Sequence, residues 1–528
     1  MSGNFPMHAR SFLVFAFGFF VLSAQTLLFR DFLTVFEGSE LAIGVFFGSW
    51  LLWVGSGAVL SRLLRRYAGL RFFSILPLLF IPAFIAEHYL ILSSRSLAGV
   101  AAYETFPILK MMPFATVANI PVSLLTGIFF TLACEWKAKD HDLPVAGVYM
   151  LEAFGSFAGG LAITLWLALG ISGESAFIYA ALLPATAVLL CSLAIKKRPY
   201  PALLLIALLA VIAFNVDGYW EKTHNRQQWT QLLPEKGYQG NFTTPQAEYL
   251  YGRHGQQFVT MSRQTISNAL PNKKQAARIA AIHLAQKPNA KNVVIVGYNG
   301  YSICMQFLKL PQIESVTWLH PDPDFPLQFL KIMPEEYKYK GQKLKIAQRD
   351  IRQFLKSKNN AYDLAVLSLP DPLTLYMNRY YTRRFYGFIK NSLTANGMVG
   401  VNISAGENFM GKNFIRLGSS VYSTLNEEFD NIAIKPGSTT WMLASDSPDI
   451  TEKPELLKQR FSGIEGGRQL YPPAGLLSLF RPQRAEFQRR AYEQCIRQIQ
   501  DEELVNTDEH PRSLTNALLL ITQKRGNQ

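Results

Sequence analysis

Seven apolar segments fill the first 217 of 528 residues, and they limit the amino-terminal part of this chain to a bundle of membrane-crossing helices. The first, 11–29 (SFLVFAFGFFVLSAQTLLF), is long enough to cross a bilayer, which takes about 20 residues. A cleaved signal peptide is the competing reading, but no small-residue cleavage site follows and further apolar runs do, so a retained helix is expected. The others are 41–61, 72–93, 113–134, 146–169, 174–195 and 200–216. Hydrophobic residues make up 49% of the chain and charged residues 17%, below the roughly 25% of a soluble domain. The formal net charge of +14 is then the mark of basic loops, and the partner expected is the lipid bilayer rather than nucleic acid.

Those loops orient the bundle. Arg62, Arg65, Arg66 and Arg71 lie between the second and third segments, Lys137 and Lys139 follow the fourth, and Lys196, Lys197 and Arg198 follow the sixth. The alternate loops hold Asp31, Glu37, Glu40 and Glu174. Basic loops stay in the cytoplasm. The amino terminus is therefore expected inside a cytoplasmic (inner) membrane, and an odd number of spans carries everything after residue 217 to the periplasmic or extracytoplasmic side. Six spans would return it to the cytoplasm. Within the bundle, GSFAGG (155–160) offers a small-residue face for close helix approach. Glu152 is the intramembrane carboxylate singled out, either as a functional group or as one that lies near the helix end or bonds a neighbouring helix.

After residue 217 the pattern changes. Residues 218–270 read as a polar linker followed by short strands, 271–445 as an α/β domain, and 446–528 as a helical extension. KKQAARIAAIHLAQ (273–286) has helical spacing. NVVIVGYNGYS (292–302), SVTWLH (315–320), KLKIAQRD (343–350), YDLAVLSLPDP (362–372) and MVGVNIS (398–404) read as five strands alternating with helices, with a turn at Asn396–Gly397. That alternation indicates a doubly wound parallel sheet, whose ligands bind beyond the carboxyl ends of the strands. Four cysteines, Cys134, Cys191, Cys304 and Cys495, form no CxxC pair, so no metal site is expected; whether Cys304 and Cys495 pair is open.

The strand ends supply the candidate site. Gly297 and Gly300 make either a plain tight turn or a loop that lets backbone approach a nucleotide. His320 and Asp322 end the second strand, where an acid either holds ribose hydroxyls or caps a turn. Asp350 either accepts from an adenine amino group or caps the helix at 351. Asp371, between two prolines, is placed to bind a cation or take a proton from an amine.

GYNGYS (297–302), HPD (320–322), RDI (349–351), SLPDP (368–372) and YYTRRFY (380–386), in that order, resemble the motifs of the spermidine/spermine synthases, or aminopropyltransferases. The segments 24–53, 148–160 and 506–520 (NTDEHPRSLTNALLL) are similar to the bacterial membrane-fused members. The resemblance implies a methyltransferase-like Rossmann fold, decarboxylated S-adenosylmethionine or a related nucleoside as substrate or ligand, and a polyamine acceptor. It implies nucleotide contacts at Gln246, Gly297, Gly300, His320, Asp322 and Asp350, and Asp371 as general base. The departures are at the acids: the family's glycine-loop Asp is Gly300, its ribose-binding Glu is His320, and the first Asp of its DSSDP motif is Ser368. The upstream segment ALPNKKQAARI (269–279) has no acid. The expected architecture is thus an α-helical polytopic membrane bundle followed by an α/β Rossmann domain. The expected role is a binding or scaffold module, a pseudoenzyme with protein partners or a second copy of itself. An active aminopropyltransferase and a transporter or sensor are the alternatives.

Overall fold

The computed structural model describes residues 7–36, 40–64, 70–100, 106, 108–138, 145–194, 203, 206–207, 209–210, 221–262, 265–499 and 504–512. The chain divides into two compact units, Met1–Tyr251 with Met261–Thr265, and Gly252–Thr260 with Ile266–Gln528.

Among the described residues up to 194, seven helices follow one another: α1 (Met7–Val35), α2 (Glu40–Leu64), α3 (Leu70–Leu97), α4 (Ile108–Ala118), α5 (Ile120–Ala138), α6 (Val145–Ala168) and α7 (Gly173–Ala194). Five of them are long and apolar enough to cross a membrane. The span expected over 113–134 is instead the pair α4 and α5, bent by 47° at a break. Pro121 accounts for the break, because it has no N–H with which to continue the hydrogen-bond ladder of α4, whereas in the first turn of α5 none is needed. Glu87 closes the gap by accepting from Val122 N at 3.0 Å, and Asn119 Nδ2 donates to Phe46 O (3.1 Å) and Ser49 Oγ (2.7 Å). Most of the seventh expected span, 200–216, lies outside the described residues.

Packing within the bundle follows its small residues. A Cβ on Gly155 or Gly159 would sit 2.1 Å from Phe15 O or 2.2 Å from Phe19 O, so α6 crosses α1 with the backbones in contact. Gly57 and Gly127 do the same for α2 and α5. Glu152 accepts from Ser156 Oγ at 2.8 Å, one turn along its own helix. The more deeply buried acid of the helical bundle is Glu87, and beside it His88 Nδ1 lies 2.7 Å from Asp31 Oδ2.

The region read as a polar linker followed by short strands carries a helix, α8 (Glu221–Thr230), and then four short strands, β1 (Tyr238–Thr243), β2 (Glu248–His254), β3 (Gln257–Ser262) and β4 (Thr265–Leu270). The main sheet then has seven strands rather than five: β5 (Asn292–Gly297), β6 (Ser315–Leu319), β7 (Leu344–Ile346), β8 (Tyr362–Ser368), β9 (Leu393–Ser404), β10 (Asn431–Lys435) and β11 (Thr439–Ser445), in the order β10-β11-β9-β8-β5-β6-β7. β5 to β9 are parallel, and β11 runs antiparallel to both its neighbours. The order reverses between β5 and β8, which makes their carboxyl ends the switch point where ligands bind in such sheets. The turn expected at Asn396–Gly397 is an irregularity inside β9, where pairing jumps from Tyr362–Leu393 to Leu364–Met398. Buried Val, Ile, Leu and aromatic side chains of β5, β8 and β9 fill the core. Cys304 is buried, and both it and Cys495 are free thiols.

Candidate functional site at the strand ends

β5 runs into Gly297 directly beside Ser368, the last residue of β8. Gly297 has φ +150°, and a Cβ there would lie 1.9 Å from Ser368 O, so two strands and a loop converge where no side chain fits. The space a ligand backbone contact would need is taken by Trp318 of β6. Its Nε1 donates to Gly297 O at 3.2 Å, and a Cβ on Gly300 would meet the same nitrogen at 2.3 Å. The helix α9 (Lys273–Gln286) precedes β5 and α10 (Gly300–Phe307) follows it; Tyr301, in the first turn of α10, is fully buried. Its hydroxyl donates to Tyr337 O (2.8 Å) and accepts from Tyr339 N (3.0 Å), and burial pushes the phenol up to about 12. Tyr301 is therefore a packing residue and presents no face to a base.

His320 is fully buried at the end of β6, stacked on Phe325 (centroids 4.3 Å apart) and edge-on to Tyr298 (5.0 Å). Burial pushes its imidazole down to about 3, so the ring is neutral. Its Nδ1 lies 2.8 Å from Asp322 O and 3.0 Å from Asp322 N. Asp322 is itself buried and accepts from Asp324 N (3.1 Å), the turn-capping alternative of the sequence reading.

Asp350 caps α12 (Ile351–Lys356), accepting from Gln353 N at 3.1 Å, and its other oxygen accepts from Arg379 at 2.9 Å. Asp371 Oδ1 accepts from Ser404 N at 2.9 Å, tying the end of β8 to the end of β9. Burial raises the Asp371 pKa above the usual carboxylate range, with the Ser404 hydrogen bond opposing it. The segment between Asp371 and α14 (Arg383–Ser392) folds across the strand ends. Tyr376 Oη donates to Pro321 O (2.8 Å) and Arg379 reaches Asp350, which places this segment over the ends of β6 and β7. Gln246 lies in the first unit, between β1 and β2, with its N–H on Thr244 Oγ1 at 3.3 Å.

The site thus gathers Gly297, Gly300, Trp318, His320 and Asp322 at one end of the sheet. Asp350 joins them through Arg379 and the loop that carries it, while Asp371 faces β9. Two residues that shape this arrangement were missed by sequence reasoning. Trp318 sits within an ordinary strand pattern, and nothing local marks it. Arg379 had a signal, a lone cation immediately before YYTRRFY, but its partner is 29 residues away. Among the described residues no cluster of metal-ligating side chains occurs.

Residues 274–412 match the family model described as Spermine/spermidine synthase domain. A polyamine aminopropyltransferase of Oceanobacillus iheyensis is 27% identical over 128 residues, 23% of this chain and 25% of the relative. That of Agathobacter rectalis is 25% identical over 122 residues, 23% of this chain and 42% of the relative. These alignments span between a quarter and about two-fifths of the relatives' own lengths. Among solved structures, the spermidine synthase of Thermotoga maritima overlays with a TM-score of 0.40 at 12% identity, covering 49% of this chain and 87% of that one. A spermidine synthase in complex with the transition state analogue AdoDATO gives 0.41 at 12% identity, covering 49% and 89%. The C-terminal half of this chain thus carries a spermine/spermidine synthase domain, matched over residues 274–412 and built on the seven-stranded sheet described above, preceded by helices apolar enough to cross a membrane.

Proposed function

We propose that this protein is a membrane-anchored binding or scaffold module whose spermidine-synthase-like domain does not carry out aminopropyl transfer. The relatives are named for a reaction that must grip a polycationic amine and deprotonate it. An exposed charge pair contributes only about 1 kcal/mol, so such a grip needs several carboxylates acting together. The observation that carries the reading is the commitment of the remaining acids. Asp350 is held by Arg379 and Gln353, Asp322 by Asp324, and Asp371 by Ser404, while Gly300, His320 and Ser368 offer no acid at all. One observation favours the transferase alternative. The buried Asp371, its pKa raised, has the character a general base needs.

Calorimetric titration of the full-length protein in detergent tests the ligand side. S-adenosylmethionine, its decarboxylated form and methylthioadenosine are expected to bind weakly and alike, to wild type and to Asp350→Ala. Tight binding of the decarboxylated nucleoside that falls ten- to a hundred-fold in Asp350→Ala, the effect of losing about 1–3 kcal/mol, would instead support a working nucleotide pocket.

The basic loops support placing this domain outside the cytoplasm, with the cytoplasmic membrane as the site of anchoring. A reporter active only in the periplasm, fused after residue 230, should then be active. A silent periplasmic reporter with an active cytoplasmic one at the same point would reverse the orientation.

A further inference from the structure

A cluster of cations without acidic partners lies away from the strand ends of the second unit. An open groove of about 820 Å³ is lined by Lys273, Lys274 and Arg278 of α9, Lys309 just beyond α10, and the neutral side chains of Gln275 and Tyr471, among others. No acidic residue lines it. Among the described residues none of the four cations forms an ion pair. The hydrogen bond recorded for Lys309, the only one found among these four side chains, goes to the neutral Gln306 Oε1, at 2.7 Å. Burial and the charge of Lys273 both depress the Lys309 pKa, which is the electrostatic signature of cations crowded without a counter-charge.

Two further features add to the positive field. The groove is at the amino-terminal end of α9, a helix of 14 residues whose cap, Asn272, accepts from no first-turn N–H and instead donates its side-chain amide to Gln275 Oε1 at 3.0 Å. The first-turn N–H groups of the helix therefore face the groove's end with the positive pole of its dipole. A second, smaller cavity of about 110 Å³ adjoins through Arg278, which lines both, and adds Lys435, Arg481 and Arg484. Burial and then the charge of Arg278 push Lys435 down to about 8. In this second cavity Arg484 is paired with Glu407, the one acid of its lining.

Like charges held this close destabilise the free protein, and an anion relieves them. Two adjoining cation-lined cavities that share one arginine fit an anion with charge distributed along its length better than a single compact one. We infer that the groove between Lys273, Lys274, Arg278 and Lys309 is a binding site for a ligand carrying two or more linked phosphate groups. The inference is independent of whether the strand-end site transfers an aminopropyl group.

The test uses full-length protein in a neutral detergent, titrated calorimetrically at low salt with tripolyphosphate, orthophosphate and glycerol phosphate. Tripolyphosphate should bind at least about tenfold more tightly than either single phosphate, and raising the salt should weaken it. Lys273→Glu combined with Lys274→Glu should weaken tripolyphosphate at least about tenfold, while Lys331→Glu, an exposed cation on another helix, should leave it unchanged. Glycerol phosphate binding as tightly as tripolyphosphate would point to a lipid-type single phosphate and overturn the multi-phosphate assignment. Absence of binding, or equal loss in the Lys331→Glu control, would overturn the site itself. A matching thermal transition for the double variant and wild type shows that a lost affinity is not lost folding.

Discussion

Gly297→Ala is expected to destabilise the second unit by about 3–5 kcal/mol, among the largest effects open to a single methyl group. Two causes add. Alanine is strained at φ +150°, which costs on the order of 1–3 kcal/mol. The new Cβ would also lie 1.9 Å from Ser368 O, and that oxygen belongs to the main chain of the neighbouring central strand, which cannot rotate away as a flexible side chain could. Thermal unfolding followed by tryptophan fluorescence should show the transition of this unit falling by roughly 10 °C or more. Gly463→Ala is the control. Its φ is −79° and its nearest neighbour would be Arg460 O at an ordinary 3.5 Å, so its transition should stay within about 0.5 kcal/mol of wild type. An unchanged midpoint in Gly297→Ala would contradict the close approach of β5 and β8 on which the description of the site depends.

Asp508→Asn is expected to cost about 2 kcal/mol at neutral pH, because it breaks the clamp that holds the carboxyl-terminal segment on the domain. Asp508 accepts from both terminal nitrogens of Arg352 (2.9 and 2.6 Å) and from Thr382 Oγ1 (3.0 Å), the cap of α14. Two residues earlier, Asn506 O accepts from Arg383 N, and its side chain bonds Asn378 Oδ1 and Tyr381 O. The physical role of the NTDEHPR stretch is therefore to fasten the start of α14 to α12. Burial works against the Asp508 charge, but the hydrogen bonds from Arg352 and Thr382 and the charges of Arg352 and Arg384 outweigh it, so its pKa is held below the ordinary value. A carboxylate with a lowered folded-state pKa adds stability that is present above its unfolded pKa, about 3.9, and is lost as pH falls from there through the folded value. The stability gap between wild type and Asp508→Asn should thus be full at pH 7 and shrink below about pH 4. A gap that stays constant into that acid range would rule out the charged clamp.

How much of this was legible from residues alone follows from the range of the interactions involved. Strands β5, β6, β8 and β9 announce themselves as apolar runs ending in glycine, proline or acid, and the helical spacing of 273–286 matches α9 residue for residue. β10 and β11 were missed, since NIAIK and TTWMLAS are short, mix polar with apolar residues and are strands by virtue of pairing with each other and with β9. Asn396–Gly397 has the composition of a turn, yet the parallel partner β8 absorbs it as an irregularity. In the bundle the GSFAGG face was legible because small residues act through their own size. Glu152 drew notice by standing next to it, whereas Glu87 and the Asp31–His88 pair went unnoticed, because their importance depends on residues 35 and 57 positions away. At the strand ends the residue types were readable but their partners were not. Asp350 reads first as a cap, which the structure bears out, but its second partner, Arg379, is 29 residues away, and nothing in SVTWLH says that its tryptophan fills the glycine loop.

The measurement that bears most directly on the central claim is turnover. Purified full-length protein is incubated with decarboxylated S-adenosylmethionine and either putrescine or spermidine, and the products are separated and quantified. The account predicts no aminopropylated amine above the level of a protein-free control, for wild type and Asp371→Asn alike. Robust product formation by wild type that disappears in Asp371→Asn would contradict it and make this domain a working aminopropyltransferase with Asp371 as its base.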